Sequence, residues 1–142
     1  VVVSAPLLQN TWIAAIAGMV TVVVGTLLTG SGPHAGDGGA ARNGLDSAVV
    51  QTLHVAPAYA TLIFTALLCF LAYQERAFSV QRFAGWALVV MALQIMVGIA
   101  QARLALPPML VGIHMVLACL SASALFLMLV ETRQRVRVAV AS

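Results

Sequence analysis

The chain has 142 residues, 62% of them hydrophobic and only 8% charged, with a mean hydropathy of +1.04. Soluble domains carry about 25% charged residues, so the polar surface here is too small to cover a core. That excludes a water-soluble enzyme, a disordered chain, a collagen and a disulfide scaffold. The net charge is +3 and every basic residue is an arginine. These arginines form no broad patch with interleaved aromatics, so nucleic acid is not an expected partner; membrane lipid is.

A bilayer core takes about 20 apolar residues in helix, and four stretches qualify: 10–29, 47–73, 83–104 and 109–130. The reading is one membrane domain over 1–142, an all-α four-helix bundle running up-down-up-down. The first gap, 30–46, is glycine-rich and polar, and the third contains Pro107 and Pro108, which suit the start of a helix. The chain opens Val1-Val2-Val3 without a methionine, consistent with a piece of a longer protein.

Arginine placement orients the spans. Arg76 and Arg82 lie in the second gap, and Arg133, Arg135 and Arg137 follow the last span. Those ends are expected in the cytoplasm, with both termini inside. Arg42 (offset by Asp37 and Asp46) and Arg103 then fall outside. Trp12, Tyr73 and Trp86 fall toward the inner ends of their spans, as an interfacial belt requires. The arginine-rich tail reads as a solvated anchor at the inner surface.

Two helix pairs repeat. Trp12 precedes Gly25 much as Trp86 precedes Gly98, and each following span carries one histidine near its outer end, His54 and His114. In an up-down-up-down bundle those spans stand on a diagonal, so both imidazoles reach a similar depth. The positions that follow them along each helix are small or polar: Ala58, Thr61 and Thr65 after His54, and Ala118, Ser121 and Ala122 after His114. Leu125 closes the second line and limits any room to the outer half. Thr21 and Gly25, with Gln94 and Gly98, add space. Close helix packing explains the glycines equally well, and a lone intramembrane histidine can simply bond a neighbouring helix. Two histidines at matched depth point further, to a shared metal.

Haem fits that pair best, because two imidazoles can fill both axial positions and the bundle core is an apolar slot. Zinc ordinarily takes more protein ligands. The propionates of such a haem would face Arg42, Arg103, His34 or loop amides, although Arg103 serves as readily as an interfacial anchor. The loop lacks the Gly-Lys-Ser/Thr ending of a phosphate loop. Cys69 and Cys119 differ in depth by more than a helical turn, which argues against a disulfide, and both read as core residues. Pro57 can kink the second span and aim His54.

Thr29-Gly30-Ser31-Gly32-Pro33-His34-Ala35-Gly36-Asp37, Gln94-x-x-x-Gly98, Leu106-Pro107-Pro108 and His114 together resemble the C-terminal half of bacterial haem A synthase, over nearly the whole chain. The resemblance implies half of an eight-helix, two-repeat architecture in the bacterial plasma membrane. It implies a haem b held by His54 and His114 toward the outer side. The family oxidises a ring methyl of haem O to formyl, making haem A for terminal oxidase assembly. Its substrate half carries a glutamate three residues before its first histidine; Gln51 stands at that place here, so no catalytic residue is assigned to this chain. A separate N-terminal half or a second copy is then the expected partner, with the electron donor unspecified. A free-standing bis-histidine b-type cytochrome is the alternative. A structural subunit with packing histidines is the non-redox reading.

Overall fold

The computed structural model describes residues 3–32 and 41–141, with side chains to residue 135. His34 and Asp37 lie outside the described residues, as does the side chain of Arg137. The described chain is all-α: α1 (Ala5–Ser31), α2 (Ser47–Gln74), α3 (Phe78–Arg103) and α4 (Pro108–Ala141). All four are long and apolar enough to cross a membrane.

The helices begin and end where local chemistry directs. Ser4 caps α1 by accepting from the Leu7 amide, with Pro6 in the first turn, and Asp46 caps α2 by accepting from the amides of Ala48 and Val49. The α2–α3 and α3–α4 turns share one device. Arg76 and Ala105 adopt left-handed backbone (φ 56° and 58°). The Ala77 amide then returns to the Ala72 carbonyl, and the Leu106 amide to that of Gln101, each at 2.8 Å. This is the helix-ending bond pattern that spends free carbonyls before a reversal.

α1, α3 and α4 extend beyond the apolar stretches read from sequence. Arg82, expected in a connection, lies inside α3. The reason is physical: hydropathy marks the hydrocarbon-depth residues, whereas a helix continues into polar sequence as long as its backbone bonds are made. Pro57 sits inside a continuous α2, and its carbonyl accepts the Thr61 hydroxyl at 2.8 Å.

Consecutive helices are antiparallel neighbours. Every adjacent pair around the square is in contact, while α1 and α3, and likewise α2 and α4, do not approach within 8 Å between Cα atoms. The outward faces carry Ile16, Met19, Ile63, Phe70, Met96 and Phe126, all exposed. With no lipid present, this inside-out distribution is the one a hydrocarbon solvent selects.

The repeat is more regular than the sequence landmarks suggested. The buried positions of α1 and α3 match at a spacing of 73 residues: Leu7 with Val80, Thr11 with Ala84, Ala14 with Ala87 and Gly18 with Met91. Those of α2 and α4 match at 60: Thr65 with Leu125, Leu68 with Met128 and Ala72 with Thr132. Trp12 and Trp86 are one residue out of this register. Both are exposed, so they mark the surface belt rather than the packing repeat.

Packing is concentrated at the arginine-rich end. Leu7, Ala14, Leu68, Ala72, Val80, Ala84, Ala87 and Met128 form one cluster there. On the histidine side of Gly18, Thr61, Met91 and Leu125, the only buried described residues are Ser31 and Val50, near the helix ends. The bundle is therefore tight in one half and open between its helices in the other.

Polar contacts lock the tight end. Ser4 bonds to the Glu75 carboxylate through both its amide (2.9 Å) and its hydroxyl, tying the start of α1 to the end of α2. Ser79 Oγ donates to Glu131 Oε1 at 2.5 Å, Arg135 Nε donates to the same oxygen at 3.1 Å, and Arg135 also bonds Ser79. Arg133 stacks over Trp12 at 5.7 Å. These groups lie at a solvent-accessible helix end, where one ion pair contributes about 1 kcal/mol or less. Glu131→Gln is accordingly expected to lower stability only by about that amount, read from thermal unfolding in detergent, without disturbing the histidine end.

Candidate functional site

His54 and His114 face each other across the open half, although their helices form a diagonal. Their ring centroids are 6.4 Å apart, with the ring planes inclined by 64°. Each ring rests on a glycine of its own hairpin. A Cβ built on Gly25 would lie 2.9 Å from His54 Cε1, and one on Gly98 would lie 3.3 Å from His114 Cε1. Gly25 and Gly98 obey the 73-residue register and the histidines the 60-residue register. The site thus straddles the internal symmetry, one histidine from each hairpin. Its glycines admit the imidazoles as well as bringing backbones together.

The spacing restricts the chemistry. With imidazole–metal bonds of about 2 Å and ring nitrogens about 1 Å from the centroid, rings on opposite sides of one atom have centroids about 6 Å apart. Two rings at a tetrahedral angle would come to about 5 Å. The observed separation matches the opposed arrangement. No group of three or more His, Cys, Asp or Glu side chains gathers among the described residues; among them, the two imidazoles are the donors brought together here.

The imidazoles differ in how they are held. The Thr21 carbonyl can only accept, so His54 Nδ1 donates to it, at 3.0 Å, leaving Nε2 deprotonated and available. That is the usual orientation of a ligating histidine, whose second nitrogen is fixed by a carbonyl or carboxylate. Gln94, which occupies the Thr21 position in the repeat, places its side-chain Nε2 3.4 Å from His114 Nε2. Among the described residues, His114 Nδ1 and Gln94 Oε1 are buried without a well-formed hydrogen bond.

Below the histidines the lining is small and partly polar. Thr61 lies seven residues beyond His54, about 10 Å along the helix axis, and bonds Thr21 at 3.4 Å. Ser121 lies equally far beyond His114, and its buried Oγ lacks a partner among the described residues, as does Gln101 Oε1 on the other side of the histidines, near the C-terminal end of α3. Leu125 forms the floor by packing directly onto Gly18. Leu125 therefore closes the small-residue line beyond His114, where the sequence placed it.

Other expected residues fall elsewhere. Arg42 and Arg103 are exposed at the histidine end, beside the starts of α2 and α4. Gln51 lines a separate groove of about 510 Å³ on the flank of α2, with Ala48, Thr52, Val55 and Ala56. Both cysteines are free. Cys69 is half-buried, with its thiol 3.9 Å from the Gln81 carbonyl, but Cys119 is exposed, not a core residue. It follows His114 by five residues, which turns it well away from the histidine face. The floor contact between Leu125 and Gly18 and the Gln94–His114 pairing cross between helices. Only the alignment of Gln94 with Thr21 hinted at the second.

The fold and site define a four-span helical bundle of membrane type with a two-histidine centre in its open half. No family model, curated protein or solved structure matches the chain.

Proposed function

We propose that this chain is the haem b-binding half of a haem A synthase-type oxidoreductase, supporting oxidation of the haem O ring methyl to formyl. The observation that carries the reading is the 6.4 Å separation of His54 and His114, the spacing of two axial imidazoles on one iron. The fit is supported by the two glycine cradles and the carbonyl-fixed His54. Bound there, haem supplies reversible one-electron iron chemistry in an apolar setting.

The chain's own residues divide the remaining work. His54 and His114 bind, and Thr21 orients the first of them. Gly25 and Gly98 admit the rings. Leu125 and Gly18 close the floor against water from the packed end. Arg42 and Arg103, at the open end, are the cations available to haem propionates. Arginine placement further supports cytoplasmic termini and an outward-facing site, while the bacterial plasma membrane follows only from the resemblance to haem A synthase. Gln51 cannot ionise, so the methyl oxidation itself belongs to a matching N-terminal half.

A free-standing b-type membrane cytochrome is the second reading, favoured by one observation: both histidines and both cradles come from this single bundle. Co-expression separates the two. Haem O conversion is expected to fail with this chain alone and to appear with a matching four-helix half containing Glu-x-x-His. Conversion by the chain alone would overturn the division of labour. Absence of haem from the purified chain would overturn both readings.

A further inference from the structure

The two imidazoles are chemically unequal. His54 has its Nδ1 proton committed to the Thr21 carbonyl at 3.0 Å, which leaves the Nε2 lone pair free and aimed by a fixed ring. Its cradle is also the tighter one, 2.9 Å against 3.3 Å for a Cβ at the equivalent glycine. His114 is the reverse. The Gln94 amide nitrogen can only donate, so at 3.4 Å it occupies the Nε2 lone pair of His114, the one a metal would take. The proton is then on Nδ1, which is buried and makes no well-formed hydrogen bond among the described residues. The Gln94 backbone carbonyl, equivalent in the repeat to that of Thr21, is the acceptor near the ring, but it holds His114 less firmly than Thr21 holds His54.

We infer that His54 is the anchoring axial ligand and His114 the exchangeable one, with Gln94 the resting partner that His114 must leave to ligate. This rests on the haem-binding reading and adds an order to it. A haem bound here would be held first by His54, and His114 would reach the iron only after leaving the Gln94 amide. Return of His114 to Gln94 would free a ligand position on the α3–α4 side. Gln94 is therefore a positioning residue, setting how readily that side opens. A buried donor or acceptor left unpaired is costly, and the poorly satisfied Nδ1 of His114 and Oε1 of Gln94 keep the resting pair from being a deep minimum. Ligation of His114 then needs to displace one long hydrogen bond, whereas loss of His54 breaks a preorganised one.

Two measurements on the full 142-residue chain in nanodiscs test this, with ferric protoporphyrin IX as probe. In the first, His114→Ala is expected to retain haem as a five-coordinate, high-spin species that binds carbon monoxide when reduced. His54→Ala is expected to bind the probe about tenfold or more weakly than His114→Ala, the size of effect seen when a ligand's fixed orientation is lost. Equal losses, or a larger loss in His114→Ala, would overturn the order of ligands while leaving the haem reading intact. In the second, Gln94→Leu keeps both histidines and removes the competing amide. Carbon monoxide affinity of the reduced protein is expected to fall by about threefold to tenfold, the worth of one net hydrogen bond. An unchanged or increased affinity would overturn the role of Gln94. A wild-type chain that takes up no probe overturns the haem reading and this inference together.

Discussion

Gly25→Ala is expected to reduce haem affinity by about tenfold or more while leaving the bundle folded. The added methyl carbon would stand 2.9 Å from His54 Cε1, closer than real side chains come. The imidazole cannot retreat freely, because Nδ1 is held by the Thr21 carbonyl on the preceding turn of the same helix. Either that bond breaks or α1 and α2 separate, and both misplace Nε2. Alanine is a better helix former than glycine, so helix content should not fall. Gly98→Ala meets His114 at 3.3 Å, where a shift of a few tenths of an ångström relieves the contact and the ring is less firmly held than that of His54. Its effect should be clearly smaller. Probe titration of the two variants, with circular dichroism as the folding control, measures the difference. Equal effects would mean that the cradles do not position the histidines as described.

The second large effect concerns stability. Gly18 lies where the packed half of the bundle ends, and a methyl carbon there would collide with a terminal methyl of the buried Leu125. Extra volume in a packed interior costs about 1–3 kcal/mol, so Gly18→Ala should lower the unfolding temperature in detergent. Leu125→Ala alone should also destabilise the protein, because it leaves a cavity. Combined, the two changes should cost less than their sum, since each supplies the space or the volume that the other lacks. Strict additivity would indicate that Leu125 does not form the floor beneath the site.

The repeat explains why this floor is asymmetric. In register, Gly18 corresponds to Met91 and Leu125 to Thr65. A small residue on α1 faces a large one on α4, and the equivalent positions on α3 and α2 reverse the sizes. Each pair sets a small residue against a large one while the two hairpins diverge, which is how interiors tolerate substitution.

Much of this was legible in the sequence because membrane helices are marked by length and apolarity alone. The four spans, the facing histidines and the alignment of Gly25 with Gly98 need only periodicity and topology. The inequality of the histidines did not show, because it depends on which nitrogen meets the Thr21 carbonyl and which meets the Gln94 amide. The Ser79–Glu131–Arg135 network was hidden for a related reason: Ser79 is far from its partners in sequence, and nothing local to it announces the contact. The tryptophans misled by one residue because exposed belt positions obey membrane depth and not the packing register. Cys119 was misread because an apolar residue in a membrane helix faces lipid as readily as core, and only its angle from His114 decides.

The central claim is that His54 and His114 ligate one haem iron from opposite sides. Electron paramagnetic resonance of the ferric, haem-loaded chain tests it most directly. The wild-type protein is predicted to give the low-spin signal of two axial imidazoles. His114→Ala should convert it to a high-spin signal, and the double variant with His54→Ala should abolish it. A low-spin signal that persists unchanged in the double variant would contradict the assignment of these histidines as the ligands.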